Sequence, residues 1–143
     1  MKCLTIDPRS IDIDATVERG ALLHGHFGPF LVVGIRMGLL ALELLEHPGY
    51  FGLEAHSEAG WTPPLSCLND GIQIGAGCTT GKGNLIVAAR TRPCVRFTTE
   101  SGRSATIELR REILAEIRGG QVDEFGTTLR HRPSEELFEW TIA

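Results

Sequence analysis

The sequence predicts an α+β fold, on three observations. A long apolar stretch near the N-terminus steps at helical spacing. Three β-rich runs follow one another closely in the second half. The helical and the strand-like segments occupy mostly separate parts of the chain. The expected architecture is an antiparallel β meander packed with a long buried N-terminal helix and shorter helices. The 143 residues suit one domain spanning 1–143.

Residues 11–23 (IDIDATVERGALL) carry Ile11, Val17, Leu22 and Leu23 at helix-compatible spacings, with Asp14 or Thr16 as the N-cap. After HGHFGP, Pro29 suits a first helical turn, where its missing N–H would be unpaired anyway, and a helix should run to about His47. Phe30, Val33, Met37, Leu40 and Leu44 form one stripe. Leu31, Val32, Ile35, Leu39, Leu42 and Leu45 cover much of the remainder, so this helix is expected to be buried on most sides. Pro48-Gly49 stops it, YFGLEAHSEA reads as a strand, and Ser57 to Ser66 reads as a loop.

A short helix is expected from Leu65 to Gly77, after which the glycines at 75, 77, 81 and 83 demand irregular backbone. NLIVAAR, CVRFTTE and SATIEL read as the antiparallel meander. Ile113, Leu114 and Ile117 lie on a charged helix. Ser134 begins a capping-box pattern, SEEL, with Leu137 and Trp140 as packing residues.

The formal net charge of −4 provides no basic field for a polyanion, which argues against nucleic acid binding. The run from Phe27 to Leu45 is broken by Gly28, Pro29, Arg36 and Glu43, so no membrane span is expected. The start, MKCLTIDPRSIDID, lacks the apolar core of a signal peptide, and a cytoplasmic location is expected. In a reducing compartment the four cysteines, Cys3, Cys67, Cys78 and Cys94, are not expected to form structural disulfides.

His24 and His26 flank one glycine, and in an extended backbone residues two apart project to one face, where both imidazoles can meet one ion. The alternative is that one caps the helix entrance and the other packs against it. Cys67 and Cys78 stand eleven positions apart, roughly 16 Å along a continuous helix. They share a metal only if Gly75 and Gly77 break that helix; alone, each reads as a small buried apolar residue. Asp70, three residues after Cys67, can orient a metal-bound histidine or act as a base, or merely cap the helix.

GCTTGKG with Lys82 looks like a phosphate loop. The G-x-x-x-x-G-K-[ST] pattern fails at Ala76 and Gly83, and the next residues read as a strand, which disfavours an NTPase. A looser anion pocket or a tight glycine turn remains. His56 is the reserve ligand; Cys3, Cys94 and His131 carry no partner pattern.

Taken together, HGHFGP, CLNDGIQ and GCTTGKGNL resemble, in order and spacing, the FmdE family of formylmethanofuran dehydrogenase subunits over roughly residues 20–110. That family's motifs typically read H-G-H-x-C-P, C-x-x-D-x-I-Q and G-C-T-x-G-K-G-N. The resemblance implies an α+β domain, often homodimeric, whose motifs converge on a pocket. It carries over His24, His26, Cys67, Asp70, Gln73, Cys78, Lys82 and Asn84. Where the family has a cysteine this chain has Gly28, so any coordination that needs that thiol is lost. The cysteine-rich zinc module of many members is absent, no cysteine following Cys94.

The leading expectation is then a transition metal, zinc first, held by His24, His26, Cys67 and Cys78, with Asp70 and Lys82 as the catalytic pair. Gln73, Thr79 and Asn84 would contact a small anionic ligand. Two further readings stand beside it. One is a non-catalytic accessory module of a larger oxidoreductase, as the family name suggests. The other is a metal-free protein that binds an anion or another small molecule at the glycine loop.

Overall fold

The computed structural model describes residues 2–143 and sets its helices against one face of a five-stranded sheet. α1 spans Ile13–His24 and is capped by Asp12, whose side chain accepts from Ala15 N. This corrects the expectation of Asp14 or Thr16. Asp12 is the last extended residue, and Thr16 instead turns its hydroxyl back to donate to Asp12 O at 2.7 Å. α2, Pro29–Leu45, starts on its proline and ends at Glu46, a left-handed residue at φ 50°. Buried leucines, valines and isoleucines occupy almost its whole circumference, so it forms the centre of the molecule.

A 3₁₀ turn at Leu65–Cys67 leads into α3, Leu68–Gly75, which lies directly on α2. The approach is backbone to backbone. A Cβ added at Gly34 would overlap Leu68 O and come within 2.8 Å of that residue's carbonyl carbon, one at Gly38 would lie 2.7 Å from Ala76 N, and one at Gly71 would lie 2.7 Å from Ile35 N.

The strands are β1 (Leu53–Ser57), β2 (Leu85–Val87), β3 (Cys94–Thr99), β4 (Ser104–Leu109) and β5 (Phe138–Ile142), in the order β2-β1-β3-β4-β5. Leu53, Ala55, Ser57, Val95, Phe97, Ala105, Ile107, Leu109 and Phe138 line the covered face, while Glu54, His56, Arg96 and Thr106 alternate onto the other.

Two expectations for the strands are corrected. β2 is not the first strand of a meander: it runs parallel to β1, with Ala55 opposite Leu85 and Ser57 opposite Val87. The chain between them passes through α3 and the glycine loop, a crossover that returns it in the same direction. Asn84 fixes the register, because its carbonyl accepts from Ala55 N while its side chain donates to Leu53 O. Trp140 is not a helix residue either. α6, Ser134–Leu137, lasts four residues, its N-cap position falls on Pro133 with no side-chain cap, and Phe138 starts the strand that pairs Trp140 with Ile107.

Between β4 and β5 lie α4, Arg111–Arg118, and α5, Thr127–Arg130. Arg36, rising from the middle of α2, donates to Leu129 O, Arg130 O and Arg132 O at 2.6, 3.1 and 2.6 Å and so ties this tail to the core. All four cysteines are free. No helix among the described residues is long and apolar enough to cross a membrane.

Candidate functional site

α1 ends on His24, and Gly25, at φ 95°, supplies the left-handed turn that reverses the chain into His26 and the extended Gly28 before α2. α3 presents Asp70 from its first turn. The glycine seam seats α3 on the first half of α2, which brings residues 46 positions apart together: His24 Nδ1 and Asp70 Oδ2 lie 2.6 Å from each other. Gln73, one turn further along α3, donates to the other carboxylate oxygen at 3.3 Å and accepts from Thr80 N at 3.1 Å. Both Asp70 oxygens are therefore engaged, and neither caps the helix. His26 sits edge-on to His24, ring centroids 4.8 Å apart at 79°.

The start of α3 is fixed by a buried network. Ser57 Oγ donates to Asn69 Oδ1 at 2.6 Å, and Asn69 Nδ2 donates to Gly60 O at 3.0 Å. Sequence reasoning passed over Asn69 in favour of its neighbour Asp70. The available signal was an asparagine inside an otherwise apolar helix face, where only a complete set of partners makes burial tolerable.

The cysteines lie differently. Cys67 is half-buried, and its thiol is pushed up by burial and then by the charge of Asp70. Cys78 is fully buried, its Sγ directed at Leu53 O at 3.7 Å, and burial pushes its thiol up to about 12. The four expected ligands do not form one cluster: among the described residues no three His, Cys, Asp or Glu side chains are gathered to hold a metal ion. The physical reason is that Cys78, past the break at the end of α3, turns into the core beneath β1 rather than back toward the histidines.

The glycine loop satisfies itself. Lys82 Nζ donates to Gly77 O at 2.7 Å and to Thr79 Oγ1 at 3.0 Å, and lies 5.4 Å above the Phe51 ring. Asn84 Oδ1 accepts from Thr79 N at 2.8 Å, and its Nδ2 donates to Tyr50 O and Leu53 O at 2.9 and 3.0 Å. Gly77, at φ 75°, is packed against the Tyr50 ring, where a Cβ would overlap it. His56 stays on the uncovered sheet face beside Glu54.

The donor chemistry fits a metal in part. Two imidazoles on one tetrahedral ion, each with a metal–nitrogen bond of about 2 Å, place their ring centres roughly 5 Å apart, close to the 4.8 Å observed. A Cβ added at Gly28 would lie 3.4 Å from His26 Cε1 and 3.8 Å from its Nδ1, so the position that faces this ring carries no donor in this chain.

A family model described as FmdE, molybdenum formylmethanofuran dehydrogenase operon, matches residues 23–140. A probable S-adenosyl-L-methionine-binding protein of Archaeoglobus fulgidus is 35% identical over 75 residues, a match spanning 48% of this chain and 19% of that protein. The crystal structure of an FmdE-like protein of tungsten formylmethanofuran dehydrogenase from Syntrophus aciditrophicus superposes with a TM-score of 0.73. Its identity is 21%, over 99% of this chain and 77% of that one, and the likeness speaks for the fold. With the His24–Asp70 and glycine-loop motifs inside the matched span, the chain belongs to the FmdE family.

Proposed function

We propose that this chain is a metal-associated accessory domain in which His24 and His26 hold one transition metal ion, zinc being well matched to neutral imidazole donors. The observation that carries the reading is the 2.6 Å contact of His24 Nδ1 with Asp70. A carboxylate on one ring nitrogen fixes the tautomer and leaves Nε2 as the donor. Gln73 holds the second carboxylate oxygen, so Asp70 stays aligned with the ring.

A bound ion would supply Lewis-acid polarisation of a group placed beside it. Without one, His24 Nε2 can accept a proton while Asp70 stabilises the resulting imidazolium. With two imidazoles from the chain, the remaining positions are left to water, a substrate or a donor from another protein. That suits a module which serves a larger assembly. The Archaeoglobus relative supports it, since the matching stretch makes up about a fifth (19%) of that longer protein. Anion binding at Lys82 has less support, because the ammonium already has two oxygen acceptors within its own loop.

The test is elemental analysis and zinc titration of the full chain carrying no metal-binding tag. Close to one ion per chain is expected, lost in His24→Ala/His26→Ala while the far-ultraviolet circular dichroism is kept. Gly28→Cys, which adds a thiolate donor beside His26, should tighten zinc binding. No uptake by the native chain, or equal uptake by the double variant, overturns the proposal.

A further inference from the structure

Beside His26 lies a cavity of about 830 Å³, lined by Glu18, Ala21 and Leu22 of α1, Phe27, and the Glu124–Phe125 pair ahead of α5. Its size falls among small-molecule sites, which run to roughly 300–1,000 Å³, and is far beyond what one ion needs. From it we infer that the chain binds a flat organic cation, in a site that does not depend on the metal reading above.

The aromatic corner of the cavity is built rigidly. Phe27 and Phe125 meet edge to face, ring centroids 5.2 Å apart at 62°. The loop that carries Phe125 is fixed on both sides. Asp123 accepts from Thr127 N at 2.8 Å and from Thr127 Oγ1 at 2.7 Å. Gly126, at φ 61°, lies so close to α2 that a Cβ there would come within 2.8 Å of Val32 Cγ2. Arg130 completes the brace, donating from Nε and Nη2 to Phe125 O at 3.2 and 2.9 Å while its guanidinium lies 5.9 Å from the centre of the Phe27 ring. The corner thus already receives one planar cation of the protein itself. Phe125, 45% exposed, is left to offer its ring to another.

Charge selects the same ligand. Asp14 and Glu116, carboxylates outside the cavity, are paired with Arg130 and Arg132. Glu18 and Glu124 have no hydrogen-bond or ion-pair partner among the described residues, and no lysine or arginine lines the cavity. Ala21 and Leu22, opposite the phenylalanines, give the ligand's second face an apolar surface. Two unpartnered carboxylates, an exposed ring and an apolar wall suit an aromatic body bearing a positive charge, and they repel a carboxylate or phosphate.

N-methylquinolinium, 2-methylnaphthalene and 2-naphthoate have nearly the same shape and differ in charge, so calorimetric titration of the full chain with all three separates charge from area. The cation should bind roughly three- to tenfold tighter than the neutral hydrocarbon, and 2-naphthoate should not bind. Phe125→Ala should weaken the cation at least severalfold. Glu18→Gln/Glu124→Gln should reduce cation and hydrocarbon to parity. His24→Ala should bind the cation unchanged, which separates this site from the metal proposal. Equal binding of 2-naphthoate, or of the cation by Phe125→Ala, overturns the inference. So does sedimentation showing a dimer that excludes the probe, which would mean a second copy covers the cavity.

Discussion

The His24–Asp70 pair and the GCTTGKG loop carry the same kinds of residue, a cation or potential cation beside oxygen acceptors, yet they spend them differently. In the loop, Lys82, Thr79 and Asn84 each engage main-chain groups within the loop or on the strand it leads to, and nothing is left over to meet a ligand. At the dyad, the main chain is already satisfied by helices and by the Gly25 cap, so the side chains meet one another, and His24 keeps its second ring nitrogen. A polar side chain is available for chemistry where the surrounding backbone does not need it. Glycine-rich loops, which cannot form a regular ladder, tend to need it.

Substitutions can break or sharpen this contrast. The largest effect is expected from Gly34→Ala, since the added methyl meets the Leu68 carbonyl in the seam that positions Asp70. A loss of about 3 kcal/mol or more in urea unfolding is expected, whereas Gly81→Ala, with nothing within 4 Å of an added Cβ, should stay within about 0.5 kcal/mol. Asn84→Ala should cost about 2–3 kcal/mol, because two carbonyls and one N–H lose their partner. Zinc affinity should hold in the folded fraction, and a parallel loss of zinc would merge the two regions into one site.

Asp70→Asn should lower zinc affinity about ten- to hundredfold with little change in melting temperature; an unchanged affinity would show that the contact is packing alone. Alkali should act on the loop side. Cys78 is pushed from 9.0 up to about 12 by burial, so the native state keeps its proton after the unfolded state has lost it. Stability is then complete below about pH 9 and falls as pH rises toward 12, by at most about 1.4 kcal/mol per unit for this group. The urea midpoint measured at pH 8 and pH 10.5 should drop for the native chain and drop less for Cys78→Ala. The smallest effect belongs to Lys82→Ala, below about 1 kcal/mol for an exposed ammonium held by two hydrogen bonds, read from the same midpoint.

How much the sequence revealed depends on how local each signal is. Helical stepping from Phe30 to Leu45 and strand-like alternation in CVRFTTE and SATIEL depend on neighbours, and they give the α+β class directly. The parallel placement of β2 does not, because it is decided by a crossover through α3 and by Asn84 reaching back to Leu53. Arg36 looked like an interruption of an apolar run. Its partners lie 93 to 96 positions later, where no local pattern points. The dyad was legible as candidates, not as a pair: His24 and Asp70 were both named from their motifs, but their contact depends on the glycine seam. Cys78 was misplaced for the opposite reason, since the break that frees it from α3 says nothing of the direction it then takes.

Where α2 and α3 meet through Gly34, Gly38 and Gly71, no side chain stands between the two main chains. An ordinary helix interface has rotamers to exchange, and its spacing drifts as they do. Here that source of play is missing. The distance from imidazole to carboxylate should then behave like a length within a single rigid body, nearly independent of temperature until the helices separate altogether.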